Sequence, residues 1–266
     1  MNHFRIPVVI AAALMLWSCS TVPLTGRQQL SLVPESEIIA LSFQQYGEFI
    51  KTSRISRDPA QTEMVRRVGT SIQRAVESYF AQKQISRELA GFAWEFSLVD
   101  SNEVNAFCMP GGKVVVFSGI LPVTKTEAGL AVVVGHEVAH AVAKHGSERM
   151  SQGLLQQMGG LALQKALEDK PQETQALWMT AFGLGSQLGV MLPYSRTHEY
   201  EADRLGMIFM AMAGYDPNAA LEFWQRMSQS GGAKAPEFLS THPSDESRIA
   251  KIREVLPEAL KYYVKK

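Results

Sequence analysis

Apolar residues recur at helical spacing over two long segments of the chain. In residues 58–82 they fall three or four positions apart, as they would on one face of an α-helix, and residues 34–51 show a similar pattern. Two shorter segments differ. Residues 94–99 alternate apolar and polar side chains, and residues 113–118 are rich in valine, as strands often are. With the turn sequence Pro110-Gly111-Gly112, these patterns predict two helices and a small β-sheet.

The rest of the chain adds further helical segments. Residues 176–192 are mostly apolar and carry two glycines four positions apart, but polar residues interrupt the run, which falls short of the ~20 residues that a membrane span needs. We therefore expect a core helix there. Residues 216–229 and 243–254 predict two helices that close the domain, joined by a flexible loop at residues 230–233. The pattern as a whole predicts an α+β fold that is mainly α.

Residues 130–143 form an apolar helical segment that is interrupted by one short polar run, and the two N-terminal helices are expected to pack over it. His136 and His140 are four positions apart, so on a helix both imidazoles point to the same side. Two neutral imidazoles suit zinc, and Glu137 would reach a water on the metal rather than the metal itself. An ordinary solvated helix remains the alternative. The apolar setting favours a metal site, because buried histidines need a partner or a metal.

A catalytic zinc ion is usually held by three protein ligands, with one position left open. One subclass of zinc peptidases places a third histidine six residues after the second, but Gly146 stands there. His145 would face away from the histidine pair, so we expect it only to mark the helix end, with Gly146 as the stop. A carboxylate remains. Glu199 and Asp203 share a helix face, which lets one bind the metal while the other orients a histidine. Glu201 would point elsewhere, and a solvated acidic face is the alternative.

Composition limits the classes of function. The 266 residues are 46% hydrophobic, which suits one substantial core, and we expect a single domain over residues 31–266. Lysine plus arginine and aspartate plus glutamate each total 26, so there is no basic surplus to hold phosphates. The chain is therefore not expected to bind nucleic acid.

The N-terminus has the pattern of an export signal. Arg5 precedes an uncharged apolar stretch at residues 6–17 that is too short to span a bilayer. The run Leu16-Trp17-Ser18-Cys19 resembles the lipobox of bacterial lipoproteins. It predicts a signal peptide at residues 1–18, an acylated Cys19 and a lipid-anchored linker at residues 19–30.

Two further residues bear on this lipoprotein prediction. Ser20 resembles the sorting signal for the outer membrane, so we expect an exported lipoprotein on the periplasmic face of that membrane in a host with two membranes. Acylation of Cys19 would leave Cys108 as the one remaining cysteine, which excludes an intramolecular disulfide and suggests a small buried hydrophobe. An ordinary export signal or a weak anchor helix is the alternative.

Several motifs, taken in order along the chain, resemble one known family. They are Thr25-Gly26-Arg27-Gln28-Gln29-Leu30, Asn105-Ala106-Phe107 with Pro110-Gly111-Gly112, the histidine run at residues 136–140, Tyr194-Ser195-Arg196 before Glu199-x-Glu201-Ala202-Asp203, Thr241-His242-Pro243, and Arg248-Ile249. This set resembles the CAAX prenyl endopeptidase family of zinc metallopeptidases, of the gluzincin type. More narrowly, it resembles the bacterial periplasmic lipoprotein members, which are small soluble relatives of membrane-spanning enzymes.

The resemblance implies a zincin-like metallopeptidase domain with a small β-sheet beside the zinc-binding helix. One zinc ion would be bound by three side chains and supported by two more (His136, His140 and Glu199; Asp203 and Arg248). His242 would lie over the metal, where it would stabilise an oxyanion or occupy the open position at rest. From the sequence pattern alone, His242 could equally be a simple connection before a helix that starts at Pro243.

The leading hypothesis is a zinc endopeptidase of the bacterial cell envelope, with Glu137 as general base, that cleaves unfolded or misassembled proteins. In enzymes of this layout an edge strand beside the zinc helix binds an extended peptide. We expect residues 105–117, with Asn105, Ala106 and Phe107, to form that edge, because they directly precede the helix that carries the histidines. The lipid anchor would provide membrane contact, and the envelope assembly machinery would be a partner. One alternative is a latent or non-cleaving lipoprotein chaperone for outer-membrane proteins. Another is a lipoprotein in which the histidine run is accidental.

Overall fold

The computed structural model describes residues 19–186, 192–229, 236–242 and 246–264. The predicted signal peptide and the predicted loop at residues 230–233 lie outside these ranges. At the N-terminal end of the described chain, β1 (Cys19–Thr21) and β2 (Gln28–Leu30) pair antiparallel. The side chain of Val22 in the connecting loop is buried in the main hydrophobic core. Residues 19–30, predicted as a linker, therefore form a hairpin that packs on the domain.

Two long helices follow, close to the predicted positions: α1 (Glu35–Thr52) and α2 (Pro59–Gln82). Helix α2 begins at Pro59 because the carboxylate of Asp58 accepts the backbone N–H of Gln61 at 3.0 Å, and proline suits a first helical turn. The buried face of α2 contains the apolar positions on which the prediction was based (Val65, Val68, Ile72, Ala75, Val76 and Tyr79).

A three-stranded sheet follows, built from β3 (Glu95–Val99), β4 (Ala106–Met109) and β5 (Lys113–Phe117). The strand order is β3-β5-β4, with β3 parallel and β4 antiparallel to β5. Gly111 and Gly112 turn the chain between β4 and β5 at φ +85° and +86°, values that favour glycine. Strand β4 is an edge and β5 is central. The expectation that all of residues 105–117 form the edge is therefore corrected to β4 alone.

Helices make up most of the remaining described chain. They are α3 (Leu121–Thr124), α4 (Glu127–Val142), α5 (His145–Ala166), α6 (Gln172–Ser186), α7 (Leu192–Met212), α8 (Ala219–Gln229), α9 (Glu237–Thr241) and α10 (Glu246–Leu260). Short 3-10 turns lie at Ser86–Leu89 and Ser118–Ile120. The predicted fold class, α+β and mainly α, is confirmed.

Helix α4 runs through the centre of the domain. It begins after Thr126, whose hydroxyl accepts the backbone N–H of Gly129 at 3.1 Å, and every residue from there to Val142 is buried. A helix that is apolar on all sides has no solvent face, and α2, α7, α8 and the sheet surround this one. Helix α1 packs elsewhere. Its Tyr46 joins Val115 and Phe117 of β5, on the face opposite to the one that contacts α4, so the expectation that α1 covers α4 is wrong.

Helices α4 and α7 cross with their backbones in contact. A Cβ atom built on Gly135 would lie 2.8 Å from the carbonyl oxygen of Gly206, and one built on Gly206 would lie 2.8 Å from the backbone nitrogen of His136. Only glycine at both positions allows so close an approach. The crossing therefore brings the histidines of α4 against the carboxylates of α7.

The expectation of a core helix at residues 176–192 is corrected for the part that the structure describes. Helix α6 forms there, but it packs on α5, and Trp178 is 56% exposed. On α5 itself, Met158 and Leu161 are 63% and 61% exposed. The apolar side chains of Trp178, Met158 and Leu161 thus lie at the surface rather than in the core. Among the described residues, every helix is too short or too polar to cross a lipid bilayer.

Candidate metal centre

Four potential metal ligands converge in the interior of the domain. Two come from α4, one from α7, and one from the residue that follows α9 (His136, His140, Glu199 and His242). Their ligand atoms all lie within 4.8 Å of one another, and all four residues are buried. The structure thus brings together the three predicted ligands and adds His242 to them.

The distances between the donor atoms fit a tetrahedral ion. The Nε2 atoms of His136 and His140 are 3.0 Å apart, and the carboxylate of Glu199 lies 3.3 and 3.4 Å from them. Nδ1 of His242 is 3.2 Å from Nε2 of His136 and 3.0 Å from Glu199. Vertices of a tetrahedron with about 2.0–2.1 Å from centre to ligand are about 3.3 Å apart. Two imidazoles, a carboxylate and a third imidazole are also ligands that zinc prefers.

The charge balance of this cluster favours a cation. Burial keeps the pKa of His140 well below its usual value, so this imidazole is neutral and ready to bind a metal. Burial also disfavours the charged form of His136, but hydrogen bonds to Asp203 and Glu199 raise its pKa to about 9. Despite its burial, Glu199 has a pKa below the usual range because of the surrounding histidines. The ionised carboxylates therefore keep a proton on His136, at a place where a metal cation would supply the positive charge.

Asp203 and Arg248, the two supporting residues that the resemblance implied, both lie beside His136. The carboxylate of Asp203 lies 3.0 Å from Nδ1 of His136. Arg248 binds the same carboxylate with two nitrogen atoms, at 2.8 and 2.9 Å, and its Nη1 lies 3.1 Å from Glu199. The guanidinium lies 3.5 Å from the ring centre of Trp224, so its position is fixed by both contacts.

His140 is held by His145, which the sequence analysis expected only to mark a helix end. The Nδ1 atoms of the two rings are 2.9 Å apart, and Nε2 of His145 lies 2.9 Å from Glu201. The expected stop at Gly146 is wrong, because Lys144 takes the left-handed conformation and α5 begins at His145. His145 therefore returns towards His140 from a second helix. Glu201, expected to point elsewhere, is buried in this cluster.

Three further residues of this cluster were missed by the sequence analysis. Arg27 donates to Glu201 at 2.7 Å and to Glu148 at 2.8 Å, and His198 stacks on His145 with 4.3 Å between ring centres. His198 also lies 3.0 Å from Glu148. One signal was available: five of the six histidines in the chain lie in this one region of the domain.

Glu137 lies at the floor of a cleft beside the four donors. It is 3% exposed, and burial raises its pKa. Its Oε1 atom has no hydrogen-bond partner in the described chain, although Nε2 of His242 is 3.3 Å away. Asn105, Ala106, Phe107 and Cys108 form the wall of this cleft. Cys108, expected to be a small buried hydrophobe, is only partly buried by surface area.

Comparison with known proteins agrees with this geometry. Residues 67–256 match the profile of peptidase family M48. The chain belongs to peptidase family M48. Membership confirms the predicted kind of family, that of the zinc metallopeptidases, and the four donors agree with the predicted single zinc ion of a zincin-like domain.

Several relatives are similar over much of this M48 chain. The mitochondrial metalloendopeptidase OMA1 of Schizosaccharomyces pombe is 41% identical over 173 residues, which are 64% of this chain and 49% of that protein. The mitochondrial metalloendopeptidase OMA1 of Bos taurus is 34% identical over 253 residues, 90% of this chain and 46% of that protein. The β-barrel assembly-enhancing protease of Escherichia coli is 31% identical over 182 residues, 60% of this chain and 34% of that protein.

These relatives correct the narrower family assignment that the sequence motifs suggested. Those named above are OMA1 and a β-barrel assembly-enhancing protease, not bacterial lipoprotein members of the CAAX prenyl endopeptidases. The assignment is therefore corrected to family M48 without that branch. The chain spans 49% of the S. pombe relative and 46% of the bovine one, or about half of each.

Proposed function

We propose that this M48 chain is a zinc endopeptidase in which His136, His140 and Glu199 bind the metal. The observation that carries the proposal is the set of buried donors at tetrahedral spacing with a buried carboxylate, Glu137, beside it. Zinc held in this way supplies Lewis acidity, which activates water and polarises a scissile carbonyl. A structural zinc site would need no such base.

Glu137 acts as the general base and then as the general acid. Its Oε1 atom accepts the proton of the attacking water and passes it to the leaving amine, and its raised pKa brings it closer to the range useful for both steps. Asp203 and Arg248 orient His136. When His242 turns from the position it occupies in the structure, its ring stabilises the developing oxyanion, a contribution of about 10²–10³ in rate.

The substrate is an extended polypeptide that lies along β4. This strand is an edge of its sheet, and its residues Ala106 and Phe107, with Asn105 just before them, line the cleft next to Glu137. Main-chain pairing with an edge strand demands little of side-chain identity, so specificity is broad. Unfolded or misassembled proteins, which expose extended segments, are the substrate class that fits.

The proposed setting is the bacterial cell envelope, with residues 31–266 as the peptidase domain and Cys19 as the site of acylation. The apolar stretch at residues 6–17 and the run that ends in Cys19 support export and lipid anchoring. The E. coli relative is named for β-barrel assembly, which supports contact with the envelope assembly machinery. The OMA1 relatives are mitochondrial, so the setting rests on the N-terminal sequence and not on them.

The position of His242 supports a second candidate function. Its Nδ1 lies at ligand distance from the other donors, where an open position would otherwise be. As a fourth protein ligand, His242 would fill the position that substrate or water needs, and the resting form would then be latent. In this form the chain holds unfolded envelope proteins as a chaperone or assembly factor without cutting them.

The test compares wild type, Glu137→Gln and His242→Ala for zinc content and for cleavage of a labelled unfolded protein. Glu63→Gln on the exposed face of α2 is the control. We expect wild type and Glu137→Gln to hold one zinc each, and cleavage by Glu137→Gln to fall by about 10²–10⁴. Full activity in zinc-loaded Glu137→Gln refutes the assigned base. One zinc without cleavage in wild type and His242→Ala favours the non-cleaving function, and absence of zinc refutes both.

A further inference from the structure

A chain of hydrogen bonds leads from His140 to the N-terminal hairpin. An imidazole that binds a metal through Nε2 carries its proton on Nδ1 and needs an acceptor there. The acceptor is Nδ1 of His145, at 2.9 Å. His145 must then carry its own proton on Nε2, and it donates this proton to Glu201 at 2.9 Å. The orientation of His140 therefore depends on a second imidazole, which in turn depends on a carboxylate.

The hairpin holds this carboxylate in place. Nε of Arg27 donates to Glu201 at 2.7 Å, and the hydroxyl of Thr25 donates to the other oxygen of the same carboxylate. Nη1 of Arg27 binds Glu148 at 2.8 Å. Because Glu148 and Glu201 are both buried, Arg27 also compensates two negative charges that would be costly alone.

Each of the two histidines of α4 is thus supported by a carboxylate that binds an arginine, but the two arginines come from different parts of the chain. Behind His136, a carboxylate and an arginine come from α7 and α10, and this Arg248 is 1% exposed. Behind His140, the arginine comes from the loop that joins β1 and β2. That loop is held by the buried Val22, whose backbone N–H donates to the carbonyl of Arg27 at 2.8 Å. One side of the centre is therefore completed by a segment far from it in the sequence.

We infer that Arg27 is a positioning residue for the metal centre, which holds His140 in its binding orientation through Glu201 and His145. Docking of the N-terminal hairpin then sets the affinity for the metal. The inference rests on the proposed role of His140 as a ligand. Loss of a supporting partner behind a ligand histidine typically lowers metal affinity by about 10–100-fold, and this is the effect we expect from removal of Arg27.

The experiment measures the zinc dissociation constant by competition with a chromophoric chelator, and the visible spectrum of the Co²⁺-substituted protein, in the full chain. The variants are Arg27→Met, Arg27→Lys and Thr25→Val, with Arg66→Met on the exposed face of α2 as the control. Circular dichroism checks that each variant is folded. A double-mutant cycle adds His145→Phe alone and His145→Phe combined with Arg27→Met. Phenylalanine keeps a ring against His198 and removes both nitrogen atoms.

We expect Arg27→Met to weaken zinc binding by about 10–100-fold and to change the Co²⁺ spectrum, while Arg66→Met matches wild type. Arg27→Lys should restore part of the affinity, because lysine keeps the charge without the fork that reaches both carboxylates. In the His145→Phe background, Arg27→Met should weaken zinc binding only slightly further, because the route through His145 is already broken. If Arg27→Met does not fold, Thr25→Val, which removes one bond to Glu201, must still shift the affinity and the spectrum.

Two results overturn the inference. One is wild-type zinc affinity and spectrum in folded Arg27→Met, or in Thr25→Val if Arg27→Met does not fold. The other is an equal loss from Arg27→Met with and without His145→Phe, since Arg27 would then act by another route. Both presuppose that wild type binds one zinc. If wild type binds none, the proposed function fails instead, so the two failures are distinguishable.

Discussion

The glycine contact between α4 and α7 allows a quantitative prediction. A Cβ atom added at Gly206 would lie 2.8 Å from the backbone nitrogen of His136, where ordinary contact begins at 3.4 Å, so the two backbones must separate by about 0.6 Å. Such overpacking costs ~1–3 kcal/mol, which outweighs the ~0.5–1 kcal/mol that alanine gains over glycine in a helix. We expect Gly206→Ala to lower the free energy of unfolding by about 1–2 kcal/mol.

The same separation should weaken zinc binding. The crossing lies next to His136 on α4, and Glu199 lies on α7 two turns before Gly206. Metal–ligand distances are expected within about 0.2 Å of their usual values, so a separation of about 0.6 Å between the two ligand-bearing helices should lower zinc affinity. We expect a loss of roughly tenfold, the low end of the effect of losing a partner behind a ligand.

Thermal unfolding with and without zinc, together with zinc competition, measures both effects. Gly47→Ala on α1 is the matched control, because a Cβ atom there meets nothing within 4 Å. This variant should gain ~0.5–1 kcal/mol and keep its zinc affinity. The reasoning is refuted if Gly206→Ala unfolds and binds zinc as wild type does, while Gly47→Ala shows its expected gain.

Three other predictions concern charge and metal. Arg248→Met leaves the buried Asp203 without its bidentate partner and should destabilise the protein by ~3–5 kcal/mol in denaturant unfolding; a change below about 1 kcal/mol would contradict this. Chelation of zinc should lower the thermal midpoint, and zinc at about 100 times its dissociation constant should restore ~2.7 kcal/mol; equal midpoints would show that the ion does not bind the folded state. Burial raises the pKa of Tyr46 to about 12, so folding keeps its phenol protonated, and this contribution, complete below pH ~10, is lost as pH rises towards 12. Tyr46→Phe should reduce the fall in the free energy of unfolding between pH ~10 and ~12. The same fall in wild type and Tyr46→Phe would refute this prediction.

The parts of the site that could be predicted are those encoded by local spacing. His136 and His140 share a helix face, as do Glu199 and Asp203, and four-residue spacing is visible in any helical segment. The apolar face of α2 could be predicted for the same reason. Within one helix, therefore, the sequence is sufficient to place side chains on a common face.

The parts that could not be predicted depend on contacts between distant segments. Arg27 and Glu201 are 174 residues apart, and no period in the sequence pairs them. His145 was excluded on the assumption that the helix continues to the expected stop at Gly146. The helix ends at Val142 instead, and the left-handed conformation at Lys144 lets a new helix begin at His145. Helix α6 was assigned to the core from its composition, yet composition does not say which neighbour covers a face, and Trp178 is exposed.

The order of the ligands along the chain has a consequence for biosynthesis. His136 and His140 are translated first, Glu199 follows on a later helix, and His242 and Arg248 come from the segments after that. A growing chain that has completed α4 but not α7 holds two imidazoles and no carboxylate ligand. Tight capture of metal must therefore wait until the later helices have folded against α4, so a nascent chain on the ribosome carries an incomplete centre.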